Sequence, residues 1–410
     1  MVELQKEESQ ELRIRDETFD FKDIPAGSLV YGIHPYPAMF HFMVVRRLLL
    51  EFSKEGDIVL DPFMGSGVCA VECLVNGRNF VGYDINPLAL LIAKVRTTPI
   101  EQKEILNNLV EILDKSKHRE SVEIPNFPNI EYWFSEKSII GLSKLKRTIF
   151  ELKDERLKDF FKVAFSETVR RVSKTDHNEF KLLRKKDKKE RDVFSVFKEI
   201  SLRNSGLLFS FYEKFKPKDV KLSFECRNIL EEIPLEDESV DLVITSPPYG
   251  DSKTTVAYGQ FSRLSLNWLG IQEDVDKRSL GSNKRDLSYL PSKILYELAD
   301  KISKVDDKRA KEILFFYSDL FSSIEIIARK VKRGGFVCFV VGNRRVKGVE
   351  LETDRISVDF FSHFGFKHIK TIIRKISNKR MPLQNSPSNV KGGKDLTMRY
   401  EYIVILRKII

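Results

Sequence analysis

Short apolar runs alternate with longer, helix-like amphipathic stretches along this chain. The run Asp57–Gly67 predicts a buried strand, a glycine-rich turn and a helix start, and Phe80–Pro87 predicts a second strand that ends in an acid. Further apolar runs continue the pattern at Val220–Cys226, Val240–Ser246, Gly334–Asn343, Phe366–Ile376 and Glu401–Lys408. Strands that alternate with helices predict a Rossmann-like, doubly wound α/β fold with a mostly parallel, seven-stranded sheet.

Two long stretches interrupt this alternation. Residues 101–217 are charged and helical in pattern, and a second stretch, punctuated by glycine and serine, covers 251–307. Connections of this length inside a compact sheet are usually functional. We therefore expect one or both insertions to carry the surface that recognises the substrate.

Charge and composition narrow the classes of partner. The 410 residues are 42% hydrophobic, which is ample for a buried core, and 70 Lys and Arg against 60 Asp and Glu give a net charge of +10. A basic protein favours polyanionic partners because each neutralised phosphate releases counterions. A basic run such as Arg184–Asp192 is nevertheless more typical of a solvated surface than of a docking site.

Other features indicate where the protein works and what it lacks. The N-terminus is polar and of mixed charge, without the apolar segment of a secretory signal or a membrane span, so we expect a cytoplasmic protein with no membrane partner. Cys69, Cys73, Cys226 and Cys338 are too scattered for a disulfide framework and lack the paired spacing of a zinc site. We expect plain thiols and no metal.

A glycine-rich turn and two acids suggest a cofactor site. Gly65, Ser66 and Gly67 form the turn, and in an open α/β sheet such a turn lets a ligand approach the backbone. Asp84, at the end of the next strand, is placed to accept hydrogen bonds from ribose hydroxyls, although dinucleotide enzymes and some non-binding turns share this pattern. Asp61 would repel a pyrophosphate but suits the cationic amino-acid end of S-adenosylmethionine, unless it only caps the turn.

The segment TSPPYG (Thr245–Gly250) carries the strongest chemical signal. Pro247 and Pro248 fix two φ angles and remove two N–H donors, so the chain leaves the strand as a rigid segment that offers acceptors. An exocyclic amine is a poor nucleophile, and acceptors aimed at its N–H groups stabilise the transition state of methyl transfer. We expect the Ser246 side chain and the Pro247 carbonyl to be these acceptors and Tyr249 to stack on the base. The alternative is a proline-rich turn that ends a strand.

Together these segments resemble a known family. DPFMGSG (Asp61–Gly67), GYDINP (Gly82–Pro87) and TSPPYG are similar to the motifs of amino-methyltransferases of DNA, and SPPY resembles the N4-cytosine enzymes of restriction-modification systems. HPYPAMF (His34–Phe40) resembles the family's methionine-pocket motif, and the likeness extends to Lys379–Asn389. The resemblance implies a methyltransferase sheet with helical insertions, S-adenosylmethionine as cofactor, double-stranded DNA as substrate with the target base flipped out, and a cognate restriction endonuclease as a partner.

Residue by residue, the resemblance implies a cofactor site and a catalytic segment. Asp84 would hold the ribose, and Asn228 would face the adenine ring unless it is a simple turn residue. The methionine side and its surroundings would comprise Tyr36, Pro37, Asp61, Pro62, Phe63, Gly65, Ser66, Gly67 and Ile85. The catalytic set would be Ser246, Pro247, Pro248 and Tyr249.

The order of the motifs predicts how the chain is divided. Residues 1–100 would form an N-terminal arm and the cofactor-binding half, 101–217 a helical insertion that is a candidate for DNA recognition, and 218–410 the catalytic half, with a second insertion at 251–307. Many SPPY enzymes place the catalytic motif first, whereas here the cofactor half precedes it, as in a circularly permuted variant. Candidates for a basic cleft are Phe165–Lys174, Gly342–Gly348 and Arg374–Arg380, and Asp251–Arg263 would contact the base or close over it.

Three alternatives stay open at this point. Adenine N6 could be the target, although Ser246 stands where adenine enzymes more often carry Asp or Asn. A tRNA guanine-N2 amino-methyltransferase shares the order of motifs but favours an acid at the position of Ser246. A DNA-binding protein that retains the fold without activity is the third. Methylation at cytosine C5 is disfavoured because the carbon-5 enzymes need a cysteine nucleophile after a proline, and the chain has no Pro-Cys pair.

Overall fold

The computed structural model describes residues 12–176, 181–250, 256–282, 289–376, 384–385, 395–396 and 398–410. Its strands are β1 Arg13–Arg15, β2 Ile58–Asp61, β3 Asn79–Asp84, β4 Leu222–Cys226, β5 Val240–Thr245, β6 Val331–Val341, β7 Arg345–Val346, β8 Val349–Glu350, β9 Phe366–Lys375, β10 Gln384–Asn385, β11 Asp395–Leu396 and β12 Tyr400–Lys408. The main sheet has eight strands in the order β1-β9-β12-β6-β5-β2-β3-β4, and β7-β8 and β10-β11 form two small ladders.

The sheet is mixed and mostly parallel, as the sequence predicts. Only β12 runs against its neighbours, pairing antiparallel with β6 and with β9, among the strand pairs of the described main sheet. All seven predicted strands are present, but the predicted number is wrong by one. Strand β1 adds to the edge by pairing with β9, and its three residues, Arg-Ile-Arg, are too short and too polar to show a strand pattern.

Helices cover both faces of the sheet. They are α1 Phe42–Phe52, α2 Val68–Asn76, α3 Pro87–Arg96, α4 Gln102–His118, α5 Ile130–Trp133, α6 Glu136–Phe150, α7 Glu155–Val172, α8 Val193–Lys214, α9 Tyr258–Leu269, α10 Val275–Arg278, α11 Lys293–Ser303, α12 Asp307–Lys330 and α13 Thr353–His363. Successive residues of a strand point to opposite faces, so Val59 and Leu60 of β2 enter different core clusters. Helices α1–α3 pack on one face and α11–α13 on the other.

The two predicted insertions pack against each other. Trp268 of α9 is fully buried, and the rings of Phe134 and Phe165 meet it edge-on at centroid distances of 5.5 and 6.3 Å. Phe134 and Phe165 come from the stretch 101–217, whereas Trp268 comes from the stretch after the proline segment. The helical insertion therefore shares its hydrophobic core with the second insertion and with one face of the sheet.

The topology creates a cleft between β2 and β5. From β2 the chain proceeds to β3 and β4 on one side, whereas from β5 it proceeds to β6 on the other. Connections that diverge from two adjacent parallel strands leave a crevice outside their carboxyl ends, where open α/β sheets bind ligands. Asp61 ends β2, and Thr245 ends β5, so both sequence-predicted motifs open into this crevice.

Candidate active site

A cleft of about 900 Å³, including its open mouth, lies at the carboxyl ends of β2, β3 and β5. Twelve of the predicted site residues line it: Tyr36, Pro37, Asp61, Pro62, Phe63, Gly65, Ser66, Asp84, Ile85, Asn228, Ser246 and Pro248. Gly67, Pro247 and Tyr249 lie directly beside lining residues without lining the cleft themselves. Since Gly65 and Ser246 face one cavity, the two halves of the predicted site are brought together.

The two glycines of the turn, Gly65 and Gly67, have different structural roles. Gly65 adopts φ +50°, and a Cβ there would meet only Tyr36 Cε1, at 3.5 Å. Gly67 adopts φ +77° as the N-cap of α2, and a Cβ there would lie 2.4 Å from Ala93 Cβ. Gly65 thus keeps the cleft open, whereas Gly67 permits close packing between α2 and α3.

Two carboxyl groups lie in the cleft with their oxygens partly satisfied by the protein. Asp84 accepts hydrogen bonds from the N–H groups of Gly65 and Asn86, both at 2.8 Å. Asp61 accepts from the Thr245 hydroxyl at 2.6 Å and from the Phe63 N–H at 3.2 Å. Removal from water raises the pKa of Asp61 to about 6 and that of Asp84 to about 6. Two acids that are costly to ionise favour a ligand that brings positive charge or hydroxyl donors.

The proline segment, Ser246–Tyr249, is held by a hydrogen bond to Glu401 of strand β12. The Ser246 hydroxyl is 3.0 Å from the Tyr249 hydroxyl, and Tyr249 donates to Glu401 Oε1 at 3.2 Å. The Tyr249 ring packs against the backbone of Gly342, where an added Cβ would lie 2.8 Å from Tyr249 Cδ2. Burial, followed by the charge of Glu401, raises the pKa of Tyr249 well above its ordinary value, so this hydroxyl remains protonated.

Asn228 has both ends of its side-chain amide engaged by the protein. Its Oδ1 accepts from the Leu230 N–H at 3.1 Å, and its Nδ2 donates to the Arg278 carbonyl at 3.1 Å. The first bond is that of a turn residue, which was the alternative for this position. The second ties the cleft to α10 of the second insertion.

The pattern of the sequence did not single out several residues that complete the cleft. Asn86 is buried and donates to the Tyr36 hydroxyl at 3.1 Å and to the Ser262 hydroxyl at 2.7 Å. Asparagine is a favoured N-cap residue and proline a favoured first helix residue, so the pair Asn86-Pro87 could have predicted the start of α3 at this place. Tyr258 lies near Tyr36 in a stacked arrangement, with ring centroids 6.0 Å apart. Met39 and Phe40 of HPYPAMF also line the cleft, and further lining residues from outside the motifs include Arg227, Val275, Arg278 and Leu280.

Two arginines proposed for a basic, phosphate-binding surface serve the fold instead. Arg170 is buried, donates to the Phe261 carbonyl at 2.9 Å and lies over the Phe261 ring. Arg374 is also buried, and it pairs with Glu401 at 2.5 Å. Helix α7 places Arg170 toward α9, so its charge is directed inward. Arg171 remains partly exposed but pairs with Glu167 and Glu199.

Some predictions fall on residues that the structure does not describe. They are 251–255 of the segment after TSPPYG, 377–380 at the end of one basic candidate, and most of Lys379–Asn389. Of the predicted cysteine thiols, Cys69, Cys73 and Cys338 are buried and Cys226 is exposed. Within the described ranges, no group of three or more His, Cys, Asp or Glu side chains is arranged to hold a metal ion. No helix in those same ranges is long and apolar enough to cross a bilayer.

Comparisons with known proteins show what this chain is similar to. A family model described as DNA methylase, of the N6 and N4 type, matches residues 2–95. The chain is 37% identical to the type II methyltransferase M.MvaI of Kocuria varians over 98% of this chain and 96% of that protein. It is 40% identical to the type II methyltransferase M.MjaII of Methanocaldococcus jannaschii over 22% of this chain and 17% of that protein. Among solved structures, a SAM-dependent methyltransferase from Methanosarcina mazei is 10% identical, covers 92% of this chain and 99% of its own, and has a TM-score of 0.29.

Proposed function

The chain belongs to the N6/N4 family of DNA methylases, and from that premise we propose that it methylates N4 of cytosine in double-stranded DNA. At the level of the family, the reaction is methylation of an exocyclic amino group of DNA by a type II enzyme of a restriction-modification system, with S-adenosylmethionine as methyl donor. The observation that carries the proposal is the shared cleft: Ser246, Gly65 and Asp84 line one cavity at adjacent strand ends.

The residues of the cleft fit the proposed cofactor. Asp84 offers carboxylate oxygens for the ribose hydroxyls, and Gly65 leaves space beside it because an added side chain would begin to fill the cavity. Asp61 offers an anion to the cationic amino-acid end, with Tyr36 and Pro37 on the same wall. When bound, S-adenosylmethionine supplies an electrophilic methyl group on a sulfonium centre. Raised pKa values at both acids are consistent with a site completed by a cation.

Ser246 and Pro247 would act on the nucleophile. The target amine gains nucleophilic character as its nitrogen becomes pyramidal, and the Ser246 hydroxyl oxygen and the Pro247 carbonyl are proposed to accept its two N–H groups. Acceptors held by a rigid proline segment need no reorganisation during the reaction. Tyr249 and Pro248 would bound the pocket for the base. Ser246 in place of an acid or amide supports cytosine over adenine, by resemblance to the SPPY enzymes.

A base in a duplex cannot reach this cleft, so the proposal includes flipping of the target nucleotide. The net charge of +10 supports binding to the DNA backbone. The stretch 101–217, in contact with the second insertion through Trp268, is proposed as part of the surface that recognises DNA. We also propose that a restriction endonuclease of the same sequence specificity is the partner of this enzyme.

The test is identification of the methylated base. Unmethylated plasmid DNA and tRNA are incubated in parallel with enzyme and S-adenosylmethionine, digested to nucleosides and analysed by mass spectrometry. We expect N4-methylcytosine from DNA alone. N6-methyladenine would overturn the assignment to cytosine, and methylated guanosine from tRNA would overturn the assignment to DNA.

A variant pair connects the product to the site. Ser246→Ala should abolish methylation while calorimetry shows unchanged affinity for S-adenosylmethionine. Ser205→Ala removes a hydroxyl from a buried serine of α8 that has no hydrogen-bond partner among the described residues, and it should retain full activity. Full activity of Ser246→Ala would contradict the proposed role of the proline segment.

A further inference from the structure

We propose that Glu401 of β12 is a positioning residue, which sets the direction of a hydrogen-bond chain through Tyr249 to Ser246 and takes up the proton released by methylation. This inference rests on the proposed function and extends it to a residue far from the motifs. Glu401 lies 155 positions after Ser246 in the sequence, and no motif contains it. Strand β12, which lies between β6 and β9, brings it to Tyr249.

The chain consists of two hydrogen bonds in series. Ser246 Oγ lies 3.0 Å from the Tyr249 hydroxyl, and that hydroxyl lies 3.2 Å from Glu401 Oε1. The other carboxylate oxygen, Oε2, pairs with Arg374 at 2.5 Å. Arg374 is itself fixed, since its Nε donates to the Phe19 carbonyl at 2.9 Å. The acceptor at the end of the chain therefore has a defined position and an ion-pair partner.

The proton count of these groups fixes the direction of the chain. A carboxylate can only accept, and a tyrosine hydroxyl has a single proton to donate. Because Tyr249 gives its proton to Glu401, the bond between Tyr249 and Ser246 must be donated by Ser246. The Ser246 proton then points away from the target amine, which leaves the oxygen lone pairs of Ser246 free to accept from that amine. Glu401 thus makes Ser246 an acceptor without touching the substrate.

The same chain offers a route for the proton. In the reaction, the lone pair of the target nitrogen forms the new C–N bond as the methyl–sulfur bond breaks and sulfur retains the bonding electrons. The surplus N–H proton passes to Ser246 Oγ, the Ser246 proton passes to Tyr249, and the Tyr249 proton passes to Glu401. The side chain of Glu401 is 17% exposed, so this proton can then be released to water.

Charged and titratable groups around Glu401 come from several elements. Arg374 faces it from β9, and Tyr249 faces it from the proline segment, with Tyr258 near Tyr249. His41, at the start of α1, is close enough for its charge to interact with that of Glu401, but burial lowers the pKa of His41. The His41 Nδ1 accepts from the Met43 N–H and Nε2 lies 2.8 Å from the Ile24 carbonyl, an arrangement that fits a neutral ring.

The experiment measures single-turnover methylation across pH with the full-length enzyme. Glu401→Gln keeps the shape of the side chain but removes the anion, and its amide can donate to Tyr249 and so reverse the chain. We expect a loss of rate on the order of a hundredfold, with affinities for S-adenosylmethionine and DNA unchanged. We also expect the pH dependence of the rate to change, because the anion that accepts the proton at the end of the chain is removed. Glu401→Asp, which retains the anion, should recover part of the rate and of the wild-type pH dependence.

A matched control and a second variant keep the test decisive. Glu51→Gln removes another carboxylate that pairs with a cation of β9, Lys370, and it should leave rate and pH profile unchanged. Tyr249→Phe interrupts the chain without touching the pair of Glu401 with Arg374. If the groups act in series, the double variant should lose no more rate than the more impaired single variant.

The outcomes separate this inference from the proposed function. An unaltered rate and pH profile in Glu401→Gln, with Ser246→Ala inactive, would overturn the role of Glu401 and leave the methyltransferase assignment in place. Multiplicative losses in the double variant would likewise overturn the chain in series. If the wild-type enzyme methylated no DNA, the proposed function itself would fail.

Discussion

The Thr245 hydroxyl donates a 2.6 Å hydrogen bond to Asp61 Oδ1 across the junction of β5 and β2. Both residues are the last of their strands, and both are buried. Thr245 is followed directly by Ser246 and the two prolines, and Asp61 lies four residues before Gly65 of the glycine turn. One hydrogen bond therefore joins the cofactor half of the cleft to the catalytic half.

Replacement of Thr245 by valine should weaken cofactor binding as well as the fold. The substitution keeps the side-chain shape but leaves a buried carboxyl oxygen with one partner fewer, which costs about 1–3 kcal/mol. The pKa of Asp61, already about 6, should rise further because the lost bond lowers it. We expect a lower free energy of unfolding in urea and, by calorimetry at pH 7.5, weaker binding of S-adenosylmethionine.

Thr148→Val is the matched control for this change. Thr148 is a buried threonine of α6 that donates to the Lys144 carbonyl, remote from the cleft. Its loss should reduce stability without altering cofactor affinity. Equal cofactor affinities in Thr245→Val and wild type would show that the bond between the two strand ends has no part in binding.

Cofactor affinity should fall as the solution is acidified through pH 6. The pKa values of Asp61 and Asp84 are about 6, above the ordinary value for aspartate, so both groups become protonated in this range and lose their charge. If binding needs one ionised carboxylate, the dissociation constant rises about tenfold for each pH unit below 6. Isothermal calorimetry between pH 5 and about 8 measures this directly.

The contribution of these two acids to the free energy of unfolding should change with pH in the opposite direction: in the cofactor-free protein it should increase as the solution is acidified. A carboxyl whose pKa is raised on folding stabilises the protein fully below its unfolded pKa and loses that contribution as pH rises through the folded value. The window here runs from about 4 to about 6 for both acids. The increase in Tm caused by S-adenosylmethionine should therefore grow from pH 5 to 7.5, and Asp84→Asn should reduce that growth. An increase in Tm that stays constant with pH would contradict the assignment of these acids to the cofactor.

The fold was predictable where local pattern and tertiary role coincide. Interior strands such as β2 and β5 are buried on both faces, so their sequences are nearly continuous apolar runs. Strand β1 lies at the edge and spans three residues, which leaves no pattern to detect. The motif residues of the cleft were predictable for the same reason, since Gly65, Asp84 and Ser246 lie in short segments whose chemistry is local.

Long-range partners were not predictable from one sequence. Glu401 meets Tyr249, and Asn86 meets Ser262, only because the sheet order and the second insertion bring distant segments together. The prediction of Arg170 as part of a basic surface was wrong for a related reason. A charged residue on an amphipathic helix is usually exposed, but α7 is covered by α9, and the guanidinium is satisfied by a carbonyl and a ring inside the protein.

Substitutions at Gly67, which is tightly packed at the N-cap of α2, and at Gly206, which has open space inside α8, should change stability in opposite directions. Gly67→Ala places a Cβ 2.4 Å from Ala93 Cβ and 2.9 Å from Ala93 Cα, at φ +77°, so we expect a loss of about 2 kcal/mol or more. Gly206→Ala, inside α8, meets nothing within 4 Å and should gain about 0.5–1 kcal/mol. Urea unfolding of both variants tests the pair. A neutral Gly67→Ala would mean that α2 and α3 can separate at little cost.

Asn228→Asp should separate direct contact with adenine from positioning of the cleft wall. An aspartate still accepts from the Leu230 N–H, but it cannot donate to the Arg278 carbonyl, to which Asn228 Nδ2 now donates at 3.1 Å. We expect α10 to loosen and KM for S-adenosylmethionine to rise about tenfold with kcat retained, since one hydrogen bond is replaced by a repulsive contact.

The control for this variant is Asn108→Asp, which removes a comparable donation from an asparagine of α4 to the Glu104 carbonyl and should leave KM unchanged. The decisive comparison uses a cofactor analogue without the adenine amino group. A positioning role predicts that Asn228→Asp weakens binding of S-adenosylmethionine and of the analogue by the same factor, because the wall moves for both. Direct recognition predicts a smaller factor for the analogue, since the amide would then have contacted the missing group. Equal factors would mean that Asn228 acts on cofactor binding by holding α10 of the second insertion against the cleft, and not by contacting adenine.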